Sequence, residues 1–257
     1  MRAVDALETL ELLGSAQWGL VTTSQARSAG LTNVQLARLA DRGTLYRVRH
    51  GVYALPSAGA DPLQDLRAAW LAAGRDDERV VVSGASAAAV HGLGDLVPSR
   101  HEFTSAERRQ SAQADVRFHR ATLPDADVVV VDGLPVTSVE RTVQDLSGRA
   151  LDADHLATVL EDAVTRSHAN PRKLASALER NAHRYHSPSG ARLLASLAPA
   201  SAPYWAAVAK SLADGATVQV SPELREGLAL ALTDAWPVDA VANAFAGVAR
   251  SHLGRAA

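Results

Sequence analysis

Side chains able to read or grip a nucleic acid cluster between residues 32 and 50 of this 257-residue chain. Thr32, Asn33, Gln35, Arg38 and Arg42 come first, and Arg47, Arg49 and His50 follow closely. Arginine carries a planar fork of donors that fits the O6/N7 edge of guanine, and side-chain amides fit adenine. Aimed at the backbone, the same guanidinium neutralises phosphate and releases counterions. Base contacts are therefore expected from Asn33, Gln35 and Arg38, and phosphate or minor-groove contacts from Arg47, Arg49 and His50. Between Gln17 and Pro56 the charged residues are Arg27, Arg38, Arg42, Arg47 and Arg49 against Asp41 alone, although the whole chain carries −2 at pH 7. Positive charge is local, as DNA docking requires.

Other reactive residue types lack the company that chemistry needs. Ser86, His91 and Asp95 invite comparison with a hydrolase triad, yet no Gly-x-Ser-x-Gly elbow surrounds the serine, which falls inside an alanine-rich helical stretch. Gly84 stands at a strand-to-helix junction without a phosphate-binding glycine pattern. His183 and His186 are three apart, but no acid stands between them, so solvated imidazoles are expected rather than a metal site. Metal-dependent nuclease chemistry needs an acid–lysine set. Lysine occurs only at positions 173 and 210, neither at Asp/Glu-x-Lys spacing. Glu107, Arg108, Arg109, Arg117 and Arg120 form a second charged stretch, read as a solvated surface with nucleic-acid or partner contact as its alternative. No catalysis, cofactor or metal is expected.

The elements that must position the basic residues are legible. Thr22 or Thr23 caps a short helix to about Ala29, Gly30 turns the chain, and Thr32 caps a second helix, Asn33 to Arg42, that Gly43 ends. Leu36, Leu39 and Ala40 share one face of that helix. Leu45 to Leu55 alternates around a turn at Arg49 to Gly51, which is a hairpin or wing. A helix from Val4 to Gly14, bearing Val4, Leu7, Leu10 and Leu13, completes a three-helix core. Together these make a winged helix-turn-helix.

Farther along, Pro56 to Pro62 is a linker by composition. A helix follows over Leu63 to Ala73, with Leu66, Ala69, Trp70 and Ala73 inward. Strands are expected at Val80–Val82, Glu102–Thr104, Val116–His119 and Val128–Val131. The Asp132-Gly133 turn signal then precedes Leu134–Thr137 and a helix from Val139. After Asp152 the pattern is helical, with stripes Leu156/Val159/Leu160/Val164, Leu174/Leu178/Ala182 and Leu193/Leu194/Leu197. A late amphipathic helix is expected over Leu224–Ala235. The fold class is thus α+β and multidomain: a winged helix over 1–56, a small α+β domain over 62–148 and a helical region over 149–257.

Bulk properties bound the rest. Cysteine is absent, which removes disulfides, thiolate zinc sites and thiol catalysis. Asp5, Glu8 and Glu11 interrupt the N-terminus, so no secretory leader is expected. No apolar run approaches the ~20 residues of a membrane helix. A cytoplasmic location without membrane contact is expected.

Three stretches carry a family resemblance. Gly43-Thr44-Leu45-Tyr46-Arg47-Val48-Arg49-His50-Gly51-Val52-Tyr53 forms the wing. The second is Val82-Ser83-Gly84-Ala85-Ser86-Ala87-Ala88-Ala89-Val90-His91-Gly92-Leu93. Asp132-Gly133-Leu134-Pro135-Val136-Thr137-Ser138-Val139-Glu140-Arg141-Thr142-Val143-Gln144-Asp145-Leu146 is the third. Over about Val4 to Leu146 the chain resembles AbiEi-type antitoxins of type IV toxin–antitoxin systems. That resemblance implies an autorepressor whose winged helix binds inverted repeats in its own promoter. It also implies a nucleotidyltransferase-like toxin as functional partner, countered through the C-terminal part. Some relatives end in a Vsr-like endonuclease domain, whose acid–lysine set the tail after Leu146 lacks. The alternatives are an orphan winged-helix regulator with a ligand-sensing or interaction tail, and a divergent nuclease. A fragment ending near Pro56 is expected to bind the operator.

Overall fold

In the computed structural model, residues 3–74, 80–111, 113–149, 151–204 and 206 are described. They fall in two compact units, one of residues 1–90 and 98–137, the other of 91–97 and 138 onward. The helix expected over Leu224–Ala235 lies outside the described residues.

The first unit opens with α1 (Ala3–Ser15), β1 (Leu20–Thr22), α2 (Thr23–Ser28), α3 (Asn33–Asp41), β2 (Tyr46–Arg49) and β3 (Val52–Ala54). The three strands pair in the order β1-β3-β2. This is the winged helix the sequence announces. Leu10, Val21, Ala26, Leu31, Leu36, Leu45 and Leu55 fill its helical core.

Strand alternation gives the small sheet a second buried face. Side chains point to opposite faces every residue. Val21 therefore faces the helices, while Leu20, Val52 and Ala54 face away into another core. That core contains Leu66, Ala69 and Trp70 of α4 (Gln64–Ala72), together with Val80, Val82, Phe103, Leu134 and Val136. The Pro56–Pro62 stretch consequently joins two halves of one core. Trp70 Nε1 donates to Val80 O at 2.9 Å, so even the buried indole is satisfied.

The larger sheet comprises β4 (Val81–Val82), β5 (His101–Ser105), β6 (Val116–Arg120), β7 (Val128–Val131) and β8 (Leu134–Thr137), in the order β6-β5-β4-β8-β7. Asp132 and Gly133 link β7 to β8 with φ of 47° and 80°. Two positive values in a two-residue loop match the twist of a hairpin, and Asp-Gly accepts them at little cost. Between β4 and β5 lies α5 (Gly84–His91).

The second unit is helical: α6 (Val139–Gly148), α7 (Ala153–Thr165), α8 (Pro171–Glu179) and α9 (Gly190–Leu197). Ser138, Asp152, Asn170 and Ser189 cap their N-termini through side-chain oxygens. In α7 the inward stripe is Leu156, Val159, Leu160 and Ala163. Ala163, at i+7 from Leu156, is fully buried, and Val164, at i+8, is half-buried at the edge of the stripe. Asn181 is buried and donates to Gln144 O and Ser147 Oγ, locking the end of α8 to α6. Gly190 admits no side chain, since a Cβ would come within 2.0 Å of Ala175 O. Among the described residues no helix is long and apolar enough to cross a membrane.

Candidate nucleic-acid interface

Two capping boxes of the same composition set up the helix-turn-helix. Thr22 Oγ1 accepts from Gln25 N at 3.1 Å, and Gln25 Oε1 accepts from Thr22 N at 2.9 Å. Ten residues on, Thr32 Oγ1 accepts from Gln35 N at 3.3 Å and Gln35 Oε1 from Thr32 N at 2.8 Å. Each box satisfies two backbone donors that a helix start leaves orphaned. Gly30, at φ 87°, makes the turn between them. Thr32 and Gln35 thus fix where α3 begins, and the Gln35 carbonyl is engaged in doing so.

On α3, Leu36 is buried and Leu39 and Ala40 are half-buried, while Asn33, Val34, Ala37, Arg38, Asp41 and Arg42 are exposed. Successive residues turn by about 100°. Val34, Arg38 and Asp41 therefore stand most directly opposite the buried stripe, with Ala37 and then Asn33 to one side of them. Gln35 and Arg42 lie on the flank.

The wing is tied to the start of α2, where Thr23 N donates to Gly51 O at 2.8 Å. Gly51 has φ 78°. Within β2 the register breaks: Arg47 opposes Tyr53 and Arg49 opposes Val52, leaving Val48 as an extra residue. Without the bulge Arg47 and Arg49 would share a face, and with it they do not. Arg47 stays on the Tyr53 side, exposed, and its Nη2 donates to His50 Nδ1 at 2.9 Å.

Arg49, expected at phosphate, turns to the side of Val52. Its side chain is only 8% exposed, and Nη2 donates to Asp65 Oδ1 at 2.9 Å and to Asp115 Oδ2 at 2.8 Å. Gln113 Oε1 accepts from its Nη1. His101 Nε2 lies 2.9 Å from Asp65 Oδ2. Partial burial pushes the Asp65 carboxyl up, but hydrogen bonds from Arg49 and His101 and their positive charge outweigh it and hold the group below its ordinary 3.8. Asp65, His101 and Asp115 bring three ligand-type atoms within 4.8 Å of one another. The cation they surround is the Arg49 guanidinium.

Of the residues weighed for other chemistry, Ser86 and Asp95 are held in local contacts. Ser86 is buried, with Oγ accepting from Glu102 N at 2.9 Å and donating to Arg100 O, which pins α5 to β5. Asp95 accepts from His155 Nδ1 at 3.1 Å. His183 and His186 are both exposed, and His186 adopts φ 53° at the end of a 3-10 turn.

Two exposed apolar side chains were not among the expected contacts: Val34, 61% exposed, and Tyr46 at the start of the wing, also 61% exposed. The signal for Val34 was available, since it falls off the Leu36/Leu39/Ala40 stripe. Tyr46 could not be placed without the strand register.

Comparison with known proteins gives two family matches along the chain. The model described as transcriptional regulator, AbiEi antitoxin, matches residues 8–56, and the model of the AbiEi antitoxin C-terminal domain matches residues 80–196. No curated protein matches. Among solved structures, the crystal structure of RV2827C protein from Mycobacterium tuberculosis is similar at 22% identity, covering 76% of each chain with a TM-score of 0.47.

Proposed function

Because the chain belongs to the AbiEi antitoxin and transcriptional-regulator family, we propose that it is a DNA-binding antitoxin acting as repressor of its own operon. It binds inverted repeats in the promoter and counters a nucleotidyltransferase-like toxin, by binding rather than by catalysis, in the cytoplasm. The observation that carries the reading is the exposed face of α3, held at a fixed start by the Thr32/Gln35 box and accompanied by a wing that carries Arg47 and His50. A helix of this kind enters the major groove by its N-terminal half, and wings grip the backbone.

The roles divide by exposure. Asn33 and Arg38 read bases, with Gln35 able to add its free amide donors. Arg42, Arg47 and His50 meet phosphate. Thr32 and Arg49 position the rest, one by capping α3 and the other by anchoring β2. The DNA-reading part is the 1–56 winged helix, and toxin antagonism belongs to the parts spanning 62–148 and 149–257.

The deciding experiment is a footprint of the full chain on its own upstream region, paired with co-expression of the neighbouring gene. Protection of a paired repeat, with rescue of growth by the intact chain, is expected. Equal affinity for promoter and random duplex would overturn the repressor reading.

A further inference from the structure

The outward face of α3 carries a residue that neither the fold nor phosphate binding explains. Val34 sits in the first turn, opposite the buried Leu36 and the half-buried Leu39, and is 61% exposed. A β-branched residue loses χ1 freedom in a helix and is a poorer helix former than alanine. It also gains no core packing at this position. Ala37, one turn later, is exposed and small, so it does not hold the backbone away from a surface laid against Val34.

Among the donors and acceptors of the major-groove base edges, the 5-methyl group of thymine is the prominent apolar feature. An exposed valine in the part of a recognition helix that goes deepest is suited to that group. Its polar neighbours are suited to the rest: Asn33 fits adenine and Arg38 fits guanine. Resting on the proposed DNA-binding role of α3, we infer that Val34 is a specificity-determining residue that packs against a thymine methyl in each operator half-site. The operator therefore carries an A·T pair at the step read by Asn33 and Val34, with a G·C pair within reach of Arg38.

The test uses the full chain and its footprinted promoter site with single thymines replaced by uracil, which deletes the methyl and preserves every hydrogen bond. For the wild type, uracil in one half-site is expected to weaken binding about fourfold, the equivalent of one buried methyl, and uracil in both half-sites about fifteenfold. Val34→Ala is expected to bind the thymine site about fifteenfold more weakly, since both half-sites lose the contact, and to bind thymine and uracil sites equally. Its thermal unfolding should be no lower than that of the wild type, since the position is exposed and alanine is the better helix former.

If specific binding persists and no uracil substitution weakens it, the inference is overturned and the repressor reading stands. A Val34→Ala protein that still penalises uracil places the methyl contact elsewhere and equally overturns it. If the wild type does not prefer its promoter to random duplex, the repressor reading falls, and this inference with it.

Discussion

Arg49 of the wing and Asp65 of α4 form an ion pair at 2.9 Å, with the arginine side chain 8% exposed and the aspartate 62% exposed. Asp115 accepts from the same Nη2 at 2.8 Å, and Gln113 accepts from Nη1. A charge so engaged is expected to anchor the wing rather than to neutralise phosphate. Arg47, two residues earlier and exposed, is free to do so. Arg47→Ala is expected to reduce the slope of log affinity against log salt by about one unit. Arg49→Ala should leave the slope alone and lower stability by about 1 kcal/mol, a modest figure because both carboxylates are half-exposed. Salt titrations of the two variants separate the roles, and a reduced slope in Arg49→Ala would return that residue to the DNA.

The same clamp predicts a pH dependence. The folded Asp65 carboxyl sits below its unfolded value of 3.8. Its contribution to stability is therefore complete above 3.8 and is lost as pH falls through the lower folded value. Wild type should exceed Asp65→Asn in denaturant midpoint at neutral pH, and the gap should close below 3.8. A gap of constant width down to pH 3 would show that the ionised form is not favoured by its partners.

Arg38 stands on the outward face of α3 and is exposed, so its loss should separate specific from general binding. Arg38→Ala is expected to weaken operator binding by roughly 1–3 kcal/mol, the value of one bidentate base contact, with a much smaller effect on random duplex. Competition assays against both DNAs measure this. Equal losses on the two would make Arg38 a phosphate contact.

What could be read from the sequence was what is local. Thr22 and Thr32 are visible as helix caps because a cap and the backbone it serves lie within one turn, whereas the Gln25 and Gln35 halves of the two boxes were not read and Gln35 was expected at a base. Asp132-Gly133 is visible as a hairpin because φ > 0 at both positions selects those residues. The destination of Arg49 was not visible. It depends on a bulge at Val48, and on Asp65 and Asp115, 16 and 66 residues away. Alternation in β2 by itself predicts Arg47 and Arg49 on one face. The joint core had the same difficulty: Leu20, Val52 and Ala54 look like wing residues until their second face finds Trp70 and Phe103.

That joint core bears on how the chain can be divided. A fragment ending near Pro56 keeps α1 to β3 but uncovers Leu20, Val52 and Ala54, and it loses Asp65 and Asp115 from around Arg49. A fragment of residues 1–137 keeps both faces of the wing sheet covered. The longer piece is expected to unfold cooperatively and to bind the operator, though less cooperatively than the intact chain. The shorter piece should bind only as far as it folds, with a shallow thermal transition. Toxin neutralisation is expected from neither, because it is assigned to regions that include the helices after Ser138. Thermal unfolding, promoter titration and co-expression with the toxin, applied to both fragments and the full chain, test the division. A sharply folded 1–56 fragment with full operator affinity would show that the wing sheet does not need its second face. Growth rescue by 1–137 would place toxin antagonism in the first unit.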